Sequence, residues 1–529
     1  MSYLSPTTRF SHAPKPLSCV WLLNDGQRSI QPPEKGISVI ANPPTPCATA
    51  WYHAFPARRG MRRTKIIATL GPAIHSQEKL FELVEAGANL FRINAAHGDW
   101  QTRHEWISWI REAERTYGTP LGVLLDLAGP KIRIGSLQAP MQLREGDTVR
   151  FCLTEQQVDA SVPLPVPELF RAAHAGDRLL LDDGAIELRI TRVESECLEA
   201  TVLEGGELRS HKGVTLPHRT LALPSMTPKD REDLVEGIRA GVDWIALSFV
   251  RSVTDVMNLQ ALIREQGADT PVIAKIEQPA ALDDLESIVE VADGVMVARG
   301  DLGVQVDLAE VPILQKQIIH LCNQHAKPVI TATQMLESMI REGRPTRAEA
   351  TDVANAVLDG TDALMLSGET AVGAYPVQAV RWMARIAEVA EEHLEFLQVG
   401  ELNTSVVGNT TVAVARAACT MAQMVGAKAI LTPTSSGGTP RWVSHFRPYQ
   451  PILALTDNER LWRRLTLLWG VAPLLIPRVR TTDEMTTQAL IAARQTRLVK
   501  GGDRVVLTTG VPVNVPGNTN MIQVLTIER

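Results

Sequence analysis

The stretch 272-VIAKIEQPAALDDLESIVEVADGVMVARGDLGV-304 decides how the whole chain reads. It holds two short apolar runs, 272–276 and 293–298, of strand length and rich in Val, Ile and Ala. Charged residues follow each run at once: Glu277 after the first, Arg299 and Asp301 after the second. Working outward, the same rhythm recurs at 65–70, 89–93, 121–126, 243–248, 328–332 and 362–367, which makes eight strand-like runs. Most are followed by a stretch of helical period, as at 78–88 and 348–358. Eight strand–helix units specify a closed (β/α)8 TIM barrel rather than an open sheet.

The rhythm breaks between the third strand and its helix. Residues 136–219 carry β-rich runs (148–153, 178–181, 186–193) and a tight turn at Asp183-Gly184, which reads as a small β-barrel lid domain inserted where βα loops lie. The barrel therefore spans 61–135 and 220–392. From 393 to 529 a second α/β alternation, with strands near 428–432, 452–455, 472–476, 504–507 and 521–526, reads as an open-sheet domain. Residues 1–60 differ from all of this. Nine prolines, two acidic residues (Asp25 and Glu34) and no sustained period predict a disordered N-terminal extension or a misassigned start, Met61 being a plausible true one.

Composition excludes several function classes. A net charge of −6 gives no basic stripe for nucleic acid. No run of about 18 apolar residues is present, so no membrane span is expected. Six cysteines, at 19, 47, 152, 197, 322 and 419, have no paired spacing. That usage predicts free thiols rather than disulfides or zinc ligands, and a cytoplasmic address.

In such a barrel, residues just past each strand face the active site. Those residues are Arg92 and Asn94, Asp126, Ser248, Lys275 and Glu277, Arg299 and Asp301, Thr333 and Glu369. Lys275 and Glu277, two apart, leave a strand on one face, as do Arg92 and Asn94. Glu277 and Asp301, on neighbouring strands, can share one Mg²⁺, which favours few carboxylates and keeps positions for water and substrate oxygens. A metal, an ammonium and a guanidinium together suit a substrate carrying both carboxylate and phosphate. Asp293 and Asp362, at strand starts, take a structural reading. Ser248 and Thr333 have capping as an alternative, and His97 has a loop-backbone role as one.

The segments TKIIATLGPA, FRINAAHG, VIAKIEQPAALDDLESI, MVARGDLGV, ITATQMLESM, PTRAEATDVANAVLDGTDALMLSGETAVGAYP and GVPVNVPGNTN resemble the pyruvate kinase family, from about Arg63 to the C-terminus. The resemblance implies transfer of the phosphoryl group of phosphoenolpyruvate to ADP, giving pyruvate and ATP. It implies Mg²⁺ (or Mn²⁺) held by Glu277 and Asp301, with Lys275 as the catalytic lysine. It assigns Arg92, Thr333, Asp301 and the Gly300 N–H to phosphoenolpyruvate, Arg92 also acting in catalysis. Asn94, His97, Arg133 and Lys212 resemble the nucleotide-side residues. A homotetramer is implied as well. The alternative is a Mg²⁺-dependent lyase or aldolase working through pyruvate enolate on the same barrel, which would need neither the lid nor Lys212.

Three departures from the family pattern stand out: Ala96 for its usual serine, Asp126-Leu127-Ala128-Gly129-Pro130-Lys131 for its Asp-Thr-Lys-Gly-Pro-Glu run, and Gln305 for an acid. The family's monovalent-cation region thus becomes Asn94, Asp126, Leu127 and Lys131, and the Lys131 ammonium implies that K⁺ is not required. In the last domain, Thr434, Ser435, Ser436, Gly437, Gly438 and Thr439 lie between a strand and a helix. They suit a phosphate cradle for a sugar-phosphate effector, with a plain turn capped by Thr439 as the competing reading.

Overall fold

A computed structural model describes residues 61–217, 219, 221, 223–394, 408–513 and 517–528. The expectation for residues 1–60 lies outside them. The chain forms β1 (Lys65–Thr69), β2 (Leu90–Asn94) and β3 (Gly122–Asp126), then the insertion. Its strands are β4 (Met141–Leu143), β5 (Thr148–Cys152), β6 (Val162–Pro163), β7 (Arg178–Leu181), β8 (Ile186–Val193), β9 (Cys197–Glu204), β10 (Gly206–Leu208) and β11 (Val214–Thr215). There follow β12 (Trp244–Leu247), β13 (Val272–Ile276), β14 (Gly294–Ala298), β15 (Val329–Ala332) and β16 (Ala363–Leu366). β17 (Ile430–Pro433), β18 (Ile452–Thr456), β19 (Val471–Leu475), β20 (Arg504–Gly510) and β21 (Thr519–Thr526) complete the chain.

β1–β3 and β12–β16 close into a parallel barrel in the order β1-β16-β15-β14-β13-β12-β3-β2. The eight runs read from sequence are these strands. Alternation decides what each residue does. Ile67, Leu90, Leu124, Ala246, Ile273, Met296, Ile330 and Met365 fill the interior, while Ile66, Phe91, Leu125, Ile245 and Val295 pack outward against the helices. The helices begin and end on sequence signals. Ser76 accepts from the Lys79 N–H at the start of Gln77–Ala86, which stops at Gly87 with φ +114°. Thr346 and Glu349 cap Arg347–Leu358 reciprocally.

Six strands begin one residue later than the apolar pattern suggests, four of them for one reason. Asn89, Asp243, Asp293 and Asp362 each lie just before a strand and accept the first free N–H of a neighbour: Ile66 (3.0 Å), Val123 (2.8 Å), Val272 (2.9 Å) and Val329 (2.9 Å). These side chains fasten the N-terminal end of the barrel, which is the structural reading for Asp293 and Asp362. The C-terminal domain seals the same end. Leu467 joins the barrel's interior cluster, and the buried Lys65 ammonium donates to the Val471 carbonyl at 2.7 Å. That domain is a five-stranded sheet, β19-β18-β17-β20-β21, parallel except for β21.

The insertion consists of a six-stranded sheet, β11-β7-β8-β9-β5-β6, with the ribbon β10-β4. Here the cysteine reading is corrected. Cys152 and Cys197 stand opposite each other on antiparallel β5 and β9, with Cα atoms 4.1 Å apart, and are joined as a disulfide. Register brought them together across 45 residues, a juxtaposition that spacing could not reveal. Cys322 and Cys419 are free thiols.

Candidate active site

The site is the top interior layer of the barrel turned polar. Counting by twos from the interior apolar residues gives Leu90, Arg92 and Asn94 on β2; Leu124 and Asp126 on β3; Ala246 and Ser248 past β12; Ile273, Lys275 and Glu277 on and past β13. These side chains meet. The Lys275 Nζ lies 2.7 Å from Glu277 Oε1, 3.3 Å from Asp126 Oδ1 and 2.7 Å from Ser248 Oγ. Arg92 donates to Asp126 Oδ2 at 2.7 Å and to Thr69 Oγ1 at 3.2 Å.

Burial makes these charges interdependent. It disfavours the Lys275 ammonium, yet Asp126 and Glu277 outweigh it and raise the pKa. Burial likewise opposes the Asp126 carboxylate, and Lys275 and Arg92 hold it below its ordinary value. Glu277 is fully buried, and desolvation, helped by the negative charge of Asp301, pushes its carboxyl up. Its Oε2 accepts the Phe249 N–H at 2.8 Å. Its Oε1 lies against the Lys275 ammonium. A fully buried carboxylate within reach of the charge of a second one fits a divalent cation.

Asp301 sits in the short helix Arg299–Leu302 after β14, and Lys131 reaches it at 3.3 Å. The same Nζ lies 3.1 Å from Asp183 of the insertion. Burial opposes that ammonium, and Asp301 and Asp183 raise its pKa. Lys131 thus neither points freely to solvent nor joins Asn94 and Asp126; it ties the insertion to the barrel rim. The oxygens expected to form the family's monovalent-cation region are engaged one by one. Asn94 Oδ1 accepts the Ala96 N–H, the Leu127 carbonyl accepts the Ser248 hydroxyl, and Asp126 serves Arg92 and Lys275.

Other expectations change. Gly300 does not offer a free N–H: it donates to Thr333 Oγ1 at 2.7 Å, so the two residues expected to face one substrate are joined to each other. Glu369 does not face the site, because its oxygens accept the Leu336 and Ser367 N–H groups in a fully buried turn. Arg299 braces the rim by donating to Asp352 Oδ1 and to the Thr333 carbonyl, both at 2.7 Å. Arg133 and Lys212 adjoin at the base of the insertion, where Arg133 donates to the His211 carbonyl and Lys212 pairs with Asp182. Asn94 ends β2 and exposed His97 lies past it, and neither bonds to Arg133 or Lys212 among the described residues. In the C-terminal domain Gly437, at φ +84°, is the N-cap of Gly438–His445. Thr439 therefore caps nothing; its hydroxyl meets Thr519 Oγ1. Thr434 Oγ1 accepts the Gly437 N–H, and a cleft of about 40 Å³ opens beside Ser435, Ser436 and Asn518.

Sequence reasoning missed Asp182, Asp183 and Phe249, and the backbone conformation of Thr333. Asp183 read only as part of the turn Asp183-Gly184 and Asp182 was not singled out, although the paired acids there were a signal. Phe249 (φ +54°) and Thr333 (φ +66°) adopt left-handed backbone at the rim, a conformation costly for such residues and common at functional sites.

The barrel-domain model of pyruvate kinase matches residues 61–380, and the family's alpha/beta-domain model matches 412–525. The chain belongs to the pyruvate kinase family. It is 46% identical to the pyruvate kinase of Geobacillus stearothermophilus over 88% of this chain and 80% of that one. It is 42% identical to the pyruvate kinase of Thermotoga maritima, over 88% of this chain and all of the relative. With pyruvate kinase 2 of Synechocystis it shares 44% identity over 88% of this chain and 79% of the other. As a pyruvate kinase it is a phosphotransferase enzyme, and the family's barrel and alpha/beta domains coincide with the two parallel-sheet parts of the fold.

Proposed function

We propose that Lys275, Glu277, Asp301, Arg92 and Thr333 form the site at which this pyruvate kinase transfers the phosphoryl group of phosphoenolpyruvate to ADP. One observation carries the reading: a buried ammonium balanced by Asp126 and the fully buried Glu277 at the top of the barrel. Glu277 and Asp301 would hold Mg²⁺ or Mn²⁺, which when bound supplies neutralising charge to substrate oxygens. Phosphoryl transfer needs mainly positioning and charge neutralisation. Arg92, anchored on Asp126 and Thr69, presents its guanidinium to the transferred phosphate. Lys275 stabilises negative charge on that phosphate as it leaves the enolate oxygen. Thr333 and Gly300 exchange their mutual hydrogen bond for substrate when it arrives. Asn94, His97, Arg133 and Lys212 flank the cleft on the nucleotide side, and the Lys131–Asp183 contact is the tie by which the insertion closes and excludes water.

The occupied oxygens at Asn94, Leu127 and Asp126 favour activity without K⁺. The loop Thr434–Thr439 and its cleft suit the phosphate of a sugar-phosphate effector, though Asp457 also lines the cleft and opposes an anion. Identical saturation curves across a panel of sugar phosphates would remove that reading. A homotetramer in the cytoplasm completes the proposal. Among the described residues no helix is long and apolar enough to cross a membrane. The deciding experiment is a coupled assay of pyruvate formation. ADP-dependent turnover of phosphoenolpyruvate supports the reading, and ADP-independent release of pyruvate would favour the lyase alternative.

A further inference from the structure

At the opposite end of the barrel from the active site, three metal-ligating side chains converge without partners. Glu286 and Glu290 lie one turn apart on the helix Leu285–Val291, so both carboxylates leave one face. His325 ends the neighbouring helix Val311–Gln324. One oxygen from each carboxylate and one imidazole nitrogen all lie within 4.8 Å of one another. Among the described residues none of the three side chains makes a hydrogen bond or ion pair, and His325 Nε2 is shut off from solvent with nothing to bond to. Lys327 feels the Glu290 carboxylate at a distance but makes no ion pair with it. Lys327 directs its Nζ to the carbonyls of Glu290 (3.0 Å) and Ala292 (2.6 Å), which clamps the two segments at their present spacing.

We propose that Glu286, Glu290 and His325 bind a borderline divalent cation, Zn²⁺, as a clip between the two helices. Two carboxylate oxygens and one imidazole nitrogen are a Zn²⁺ donor set, with a water as fourth ligand. The imidazole argues against Mg²⁺ and Ca²⁺, which take oxygen ligands. The prior bonds of Lys327 keep the ligands assembled before the ion arrives. Because Glu290 and His325 lie just ahead of β14 and β15, at the N-terminal ends of the strands, the site is separate from Glu277 and Asp301 and does not depend on the catalytic reading.

The test uses the full chain, stripped with a chelator, returned to excess Mg²⁺ so that the catalytic carboxylates are occupied, and titrated with Zn²⁺ alone. Calorimetry and metal analysis should give one Zn²⁺ per chain with a Kd in the micromolar range, and a rise in melting temperature. His325→Ala should weaken binding about tenfold or more and abolish the thermal shift, while turnover with Mg²⁺ stays within about twofold. Glu290→Gln serves as a second variant should His325→Ala fold poorly, with the same expected loss. Cobalt substitution should give visible absorption that disappears in His325→Ala. Equal Zn²⁺ stoichiometry and affinity in parent and variants, or no Zn²⁺ retained against Mg²⁺, would overturn the proposal.

Discussion

Single residues carry the chemistry here because the barrel gives each a fixed face. Lys275 is catalytic in this reading because Ile273, two residues earlier, points inward; a shift of one residue would place it among the helices. Lys131 brings a fixed positive charge to the rim of the proposed site. Its ammonium lies between Asp301 and Asp183, on the rim beside the proposed metal position. The parent should respond to added KCl by no more than a few-fold at constant ionic strength, in a buffer with a tetraalkylammonium counter-salt. Lys131→Glu should acquire K⁺ dependence and a raised KM for phosphoenolpyruvate. Strong K⁺ activation of the parent would remove Lys131 from this role.

At the scale of elements, the barrel was legible and the insertion only partly so. The eight barrel strands are apolar on both faces and bounded by helical period, a pattern that sequence displays directly. The charged residues at their ends could be read for the same reason, down to the shared face of Lys275 and Glu277. The insertion uses strands such as β6, β10 and β11, of two or three residues, too short for any period to register. What joins them is register, and register is invisible in a single chain. The Cys152–Cys197 pairing was missed on that account, as was the engagement of the Gly300 N–H by Thr333, which depends on a left-handed backbone. The cross-link closes a loop of 45 residues, worth about 4 kcal/mol on the chain-entropy scale. Thiol counting on denatured, unreduced protein should find Cys152 and Cys197 unreactive and Cys322 and Cys419 labelled. Cys152→Ser should lower the melting temperature of oxidised protein only. Labelling of Cys152 and Cys197 in the unreduced protein would contradict the pairing.

The whole molecule depends on the joint between the barrel and the C-terminal sheet. Arg447 donates to Asp362 Oδ1, Asn323 Oδ1 and the Gly360 carbonyl, and Asp362 in turn fastens β15. Beside it, His445 is held among Trp442, Phe446 and Arg447. Burial, then the Arg447 charge, lowers its pKa to about 4. The unfolded chain takes a proton on His445 near pH 6.5, and the folded chain refuses it until about pH 4. Stability is therefore lost as pH falls through that window and is fully present above it. Melting temperatures measured from pH 7 to pH 4 should fall less steeply in His445→Gln than in the parent. Parallel curves would mean that His445 protonates freely in the folded state.

The same joint closes the bottom of a barrel whose top is proposed to do the chemistry, so the central test lies at the top. Pyruvate formation from phosphoenolpyruvate and ADP at saturating Mg²⁺ should be compared between the parent and Glu277→Gln, with circular dichroism to establish that both are folded. The expected result is ADP-dependent turnover in the parent and, in the variant, a loss of about 10²-fold or more in kcat, the scale for removing a preorganised transition-state interaction. Near-parental turnover in folded Glu277→Gln would contradict the placement of the active site.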